Sequence, residues 1–215
     1  MTHQSTIDPH RDVREVLSNF LKRSMANDER SPARQHQNDD HLYQSLLNEV
    51  TALFQKAGDD IAFADKFSRT ACDLAHIIYG HTGPEHQYYI ALYTVCYLYA
   101  DDLGSRHVDA LAQFSRRFGT GEKQLNPVLE RLAELMRESH NLWPQVGADA
   151  IISGSLEAIS AMFIECTCGD MEITPKATWW PNYFRNRTGI CPPYAHFNFM
   201  KSWRSVPESY LQLLP

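Results

Sequence analysis

Apolar residues return every three or four positions through most of the chain, the spacing that lays one greasy stripe along a helix. Val13, Val16, Leu17, Phe20 and Leu21 mark one amphipathic helix, and Leu42, Leu46, Val50 and Phe54 mark a second. Between them residues 26–40 are polar, contain proline and lack a period, which predicts a flexible linker inside the domain. The same spacing predicts helices over 63–80, 85–102, 107–118, 124–141, 149–168 and 180–189, and from Tyr194 to the end. Alternation at the two-residue period of a strand is absent over any useful length. The punctuation agrees with an all-α class: Gly80, Gly104 and Gly119 stand where helices should stop, Pro84, Pro127 and Pro144 stand at breaks, and Asp149 is placed to cap the helix that follows Gly147. Glycine and proline fall at irregular intervals, so a compact helical bundle is expected rather than a solenoid.

Composition narrows the function. With 215 residues, of which 43% are hydrophobic and 21% charged, the chain has enough apolar side chains to build one packed domain. Its net charge of −6, with no dense basic stripe, predicts poor binding to nucleic acid and to anionic membranes. The longest near-apolar run, Ile90 to Ala100, is far shorter than the roughly 20 residues that span a bilayer, so no membrane span is expected. Five cysteines at irregular spacing do not form a secreted disulfide framework. The opening THQSTIDPHRD has no apolar leader, and a cytoplasmic protein is the expectation.

The candidate chemistry lies at the end of the most apolar helix, where YYIALYTVCYLYADDLGS closes on Asp101 and Asp102. A helix carboxyl end carries partial negative charge, so two carboxylates there call for a cation, each being disfavoured by about 0.3–1 kcal/mol without one. Paired carboxylates suit Mg²⁺, whose octahedron is commonly completed by phosphate oxygens; a solvated helix end is the plainer reading of the pair. Tyr97 and Tyr93, four and eight residues before Asp101, share its helical face and could form an aromatic wall, which Phe67 could extend. A plain core stripe explains these rings as well. In TWWPNYFRNRTGI, Arg185 and Arg187 stand among aromatic rings, and a guanidinium with apolar neighbours needs an anion, either a phosphate or a carboxylate such as Glu165 or Glu172. His76, His81 and His86 are five residues apart, off the spacing that shares a helical face, and Cys166-Thr167-Cys168 has no second pair to complete a zinc site.

These segments carry a resemblance. From Thr70, through TACDLAHIIYGHTGPEHQYYIALYTVCYLYADD, FIECTCGDM and WWPNYFRNRTGI to ESYLQLLP, the chain resembles the fungal trichodiene synthase group of class I terpene cyclases. The resemblance implies a class I terpene synthase-like helical bundle that binds farnesyl diphosphate with Mg²⁺, ionises it, cyclises the chain and releases diphosphate, in fungal secondary metabolism. It implies that Asp101 and Asp102 are metal ligands, with Glu165 on the helix facing them, and that Arg185 grips the departing diphosphate. Tyr93, Tyr97 and Phe67 would meet the substrate chain. Two departures accompany it. Where the family has a third acid, this chain has Ser105, and the family's second metal motif, N-D-x-x-S-x-x-x-E, would lie past Pro215. Residues 1–215 are therefore expected to be a single, partial domain, incomplete at its C-terminus. The alternative is a catalytically inactive paralogue that associates with itself or with a full-length cyclase through apolar faces such as those of Phe197 and Tyr210.

Overall fold

In the computed structural model, residues 35–201 are described, and all regular structure among them is helical. The elements are α1 (Gln35–Ala57), α2 (Ala62–Tyr79), α3 (Pro84–Leu103), a 3₁₀ turn (Gly104–Arg106), α4 (Val108–Thr120), α5 (Pro127–Leu142), α6 (Gln145–Thr167), α7 (Trp180–Thr188) and α8 (Cys191–His196). The chain divides into two units, of which the second runs from Asp39 to Pro215; the first amphipathic helix expected from the sequence lies outside the described residues.

Two helices organise the second unit. The middle of α3 is buried on every side, including Ile90, Ala91, Leu92, Tyr93 and Val95, because its sequence there offers no polar face to water. α6 packs against α4, α5, α7 and α8. By length and apolarity α6 could also cross a bilayer, more so than the Ile90 to Ala100 run. In this bundle its small residues serve packing instead. Gly154 is such a residue: a Cβ added there would lie 2.7 Å from Pro193 Cδ and 3.0 Å from Cγ, so α8 lies close against α6 only because Gly154 has no side chain. Through this contact Phe197 is brought fully into the core, its ring 5.0 Å from both Tyr93 and Trp143, and its carbonyl accepts a hydrogen bond of 3.3 Å from Trp143 Nε1.

Several expected boundaries move for local reasons. The segment 26–40, expected as linker, is helical from Gln35 onward, because adding residues to a helix already anchored by Leu46 and Val50 needs no new nucleus. α5 starts at Pro127 rather than Gln124: Asn126 caps it, its Oδ1 accepting from the Val128 and Leu129 amides, and Pro127 takes the first turn, where no amide donor is needed. α6 begins four residues before Asp149, directly after Pro144, so Asp149 is not its cap but a surface acceptor for Gln145 at 3.0 Å. Gly119 lies inside α4; Gly121, with φ 74°, supplies the left-handed stop. Of the helix expected from Tyr194 to the end, the described residues show only the short α8, started by Pro192 and Pro193 and ended where Phe197 is buried; residues 202–215 lie outside the described residues. Beyond it the Lys201 amide bonds the Leu142 carbonyl at 3.0 Å.

Candidate functional site

The carboxyl end of α3, the 3₁₀ turn, the end of α6 and α7 meet at one end of the bundle, and there the structure gathers the charged residues singled out from sequence. Asp101 and Asp102 occupy the last turn of α3 and both reach solvent. The compensating cation is supplied twice. Lys66 on α2 lies 3.6 Å from Asp102, and Arg185 on α7 is near enough to Asp101 for its charge to lower the pKa of that carboxyl. The net shift of Asp101 is nevertheless upward, first because the site is partly desolvated and second because Asp102 repels a neighbouring negative charge. Glu165, exposed near the end of α6, and Asp101 both press on the Cys166 thiol, raising its pKa after the leading effect of burial. Cys166 Sγ lies 3.7 Å from where a Cβ on Gly104 would stand, so Glu165 and Cys166 adjoin the turn that follows the acid pair.

The two arginines of α7 separate in role. Arg187 stacks on the Tyr183 ring at 3.8 Å and pairs with Glu157 at 3.8 Å, a structural ion pair with an acid other than Glu165 or Glu172. Arg185 is exposed and, among the described residues, has no carboxylate within ion-pair distance, which leaves its fork available to an anion.

The aromatic residues lie deeper. Tyr93 is fully buried, with its hydroxyl 2.8 Å from Ser155 Oγ, and Tyr97 lies against it at 4.7 Å, with its hydroxyl donating to the Ser155 carbonyl at 3.1 Å. Phe67 packs against Phe54 and Phe63 at 6.0 and 5.7 Å. Tyr93 and Tyr97 stand on α3 two turns and one turn before Asp101 and are closed into the core, and Phe67 adjoins Lys66, the partner of Asp102.

One arrangement has no counterpart in the sequence pattern. Asp59, in the short connection between α1 and α2, has a side chain only 6% exposed. It accepts hydrogen bonds from the Tyr99 hydroxyl and from His107 Nε2 at 2.9 Å, and Arg106 Nη1 stands 3.8 Å from its other oxygen. Asn126 donates to the Tyr99 hydroxyl at 2.7 Å, and the Tyr99 and His107 rings stack at 5.6 Å. Arg106 ends the 3₁₀ turn, His107 follows it and Tyr99 stands just before Asp101, so the network ties down the backbone that carries the acid pair. Its only trace in the sequence is a doubled aspartate after Gly58, which reads as loop.

The donor set can be tested against a magnesium ion. Among the described residues no three His, Cys, Asp or Glu side chains group closely enough to hold an ion by themselves. Two adjacent carboxylates with an unpaired guanidinium opposite them fit a hard ion that shares its shell with water and a bound anion, and do not fit an all-protein cage.

Comparison with known proteins follows the same direction. No protein-family model matches the chain. It is 30% identical over 139 residues to an alpha-cuprenene synthase from Coprinopsis cinerea, an alignment covering 64% of this chain and 42% of that protein. It is 28% identical over 138 residues to a terpene synthase from Cochliobolus sativus, covering 61% and 42%, and 27% identical over 122 residues to a longiborneol synthase from Gibberella zeae, covering 54% and 36%. The chain thus spans about two fifths of the length of the curated relatives it matches. Its similarity is to fungal terpene synthases at large rather than to the trichodiene synthases in particular.

Proposed function

We propose that this chain is a fungal sesquiterpene cyclase-like protein, related to the trichodiene synthase group, that acts on farnesyl diphosphate with Mg²⁺. What supports the reading is that Arg185 stands near enough to Asp101 for its charge to lower that carboxyl's pKa, while among the described residues no carboxylate lies within ion-pair distance of Arg185. Two acids beside a guanidinium that no acid occupies suit a hard cation together with a bound anion.

When bound, Mg²⁺ supplies positive charge that stabilises diphosphate as a leaving group. Asp101 and Asp102 would hold it, with Glu165 close by. Arg185 donates to the diphosphate oxygens as the allylic C–O bond breaks and its electron pair passes to the oxygen, and it does so from a helix already in position, which is where preorganised electrostatics gain over water. The carbon skeleton keeps the positive charge until it loses a proton and leaves as a hydrocarbon. Tyr93, Tyr97 and Phe67 exclude water from the side of the core. Lys66, by holding Asp102, leaves Asp101 as the principal ligand.

Incubation of the purified chain with farnesyl diphosphate and Mg²⁺, with diphosphate release and volatile products followed together, tests this. Diphosphate release that disappears in Asp101→Asn and Arg185→Gln is expected. No release from the unaltered chain would overturn the reading and leave the noncatalytic, associating paralogue.

A further inference from the structure

The last turn of α3 is a poor place to leave two metal-binding carboxylates unsupported. The final carbonyls of a helix lack partners within it, and the partial negative charge they carry opposes Asp101 and Asp102. No basic residue stands in that turn, and the chain enters the 3₁₀ turn with Gly104 still right-handed at φ −58°, so no left-handed stop closes the helix. Lys66 and Arg185 relieve the charge, yet both are exposed side chains on other helices and act on the carboxylates rather than the backbone. The support for the backbone comes from the connection between α1 and α2. Gly58, left-handed at φ 77°, ends α1, and the Asp59 amide turns back to the Phe54 carbonyl at 3.1 Å, so Asp59 is presented by a closed helix cap. Phe54 packs on the Tyr99 ring at 5.1 Å, and the hydroxyl of that same tyrosine donates to Asp59. One carboxylate thereby joins the chain two residues before Asp101, through Tyr99, to the chain four and five residues after Asp102, through Arg106 and His107.

We propose that Asp59 is a positioning residue for the cation site: by clamping α3 and the 3₁₀ turn on either side of the acid pair, it sets how tightly Asp101 and Asp102 hold Mg²⁺ together with a bound anion. The inference rests on the function proposed above and deepens it. Burying a carboxylate is costly, and a buried ion pair is a weak source of stability compared with apolar packing. A carboxylate that spans three segments supplies fixed geometry instead. This chain's own departure from the family pattern raises the value of that geometry. With Ser105 where a third acid would stand, the turn offers the ion two carboxylates, and Mg²⁺, which demands a near-ideal octahedron, tolerates little wandering of either. Ligands ordered before the ion arrives also bind it without the loss of freedom that ordering them would otherwise entail.

Calorimetric titration of inorganic pyrophosphate with Mg²⁺ into the full chain tests it, on the unaltered protein, Asp59→Ala, Asp59→Asn, Tyr99→Phe and, as a destabilised control, Met136→Ala, which truncates a fully buried side chain of α5. Amide hydrogen exchange of each protein without metal is followed alongside. Asp59→Ala is expected to weaken binding roughly tenfold and Tyr99→Phe by a smaller factor. Asp59→Asn, which keeps an acceptor for Tyr99 without the charge, should fall between the unaltered chain and Asp59→Ala, and exchange should quicken over residues 100–107 more than in the rest of α3. Tyr99→Phe changes no charge at neutral pH, so its weakening does not come from a lost attraction for the cation. Asp59→Asn and Tyr99→Phe decide the matter if Asp59→Ala does not fold. Binding unchanged in the folded variants, weakened equally in Met136→Ala, or weakened by Asp59 substitution and not by Tyr99→Phe would overturn the inference and leave the proposed function standing. Absence of binding by the unaltered chain would overturn that function and the inference with it.

Discussion

Replacing Asp59 by Ala removes one carboxylate and strands three groups. The Tyr99 hydroxyl already accepts from Asn126 and gives its own proton to Asp59, so in the variant that proton has no acceptor; His107 loses its partner and Arg106 its nearest anion. A hydrogen bond to a charged group contributes about 1.5–3 kcal/mol, and an orphaned buried hydroxyl adds a penalty of similar size. Some relief comes from water reaching His107, which is partly exposed. The expected loss is about 3 kcal/mol, equivalent to roughly 6–12 °C in Tm for a chain of this size. Urea unfolding followed by circular dichroism measures it, with Tyr99→Phe and the double variant completing a cycle. The double variant should lose about as little as Tyr99→Phe and one further bond, because a phenylalanine ring has no hydroxyl proton to strand. A loss below about 1 kcal/mol for Asp59→Ala, or strict additivity in the cycle, would refute the claim that these groups act as one network. Amide shifts of Asp101 and Asp102 should move in the single variant, since the network anchors their backbone.

Two further outcomes follow from the geometry. Gly154→Ala places a Cβ 2.7 Å from Pro193 Cδ, so α8 must move; the helix-propensity gain of about 1 kcal/mol is outweighed by overpacking of up to about 3 kcal/mol, and thermal unfolding should show a lower Tm with altered Trp143 fluorescence. The Asp101 carboxyl has a raised pKa, so its ionisation opposes folding: the penalty is absent below the unfolded pKa and complete above the folded one. Asp101→Asn should therefore stabilise the protein at neutral pH and not in acid, and carboxyl carbon NMR should show Arg185→Gln raising the Asp101 pKa further and Asp102→Asn lowering it.

The sequence exposes what depends on the short range. The stripe Leu46, Val50, Phe54 and the uninterrupted apolar run of α3 are periodic enough to fix helices without knowing their neighbours. Boundaries slip where a different residue makes the cap: Asn126 and Gly121 compete with Gln124 and Gly119 in composition, and the choice is made by backbone angles that a string of letters does not carry. At the site, the acid pair and Arg185 are legible because their charge is out of place beside apolar neighbours. The assignment of Glu157 to Arg187 is not legible, because it depends on how α7 lies on α6. Nor is Asp59, whose network partners Tyr99, His107 and Asn126 are 40 to 67 residues away in sequence. Tyr93 and Tyr97 share one helical face, as their spacing predicts, yet how they are sealed in the core is decided by Phe197, which arrives from about a hundred residues downstream.

The central claim is that Asp101 and Arg185 act on one anion together with a divalent cation. Calorimetric titration of inorganic pyrophosphate into the chain, with and without Mg²⁺, tests it on the unaltered protein, on Asp101→Asn, on Arg185→Gln and on the double variant. The account predicts Mg²⁺-dependent binding that either substitution weakens at least tenfold, with the double variant little worse than the singles. Binding indifferent to Mg²⁺, or unchanged when both residues are replaced, would contradict it.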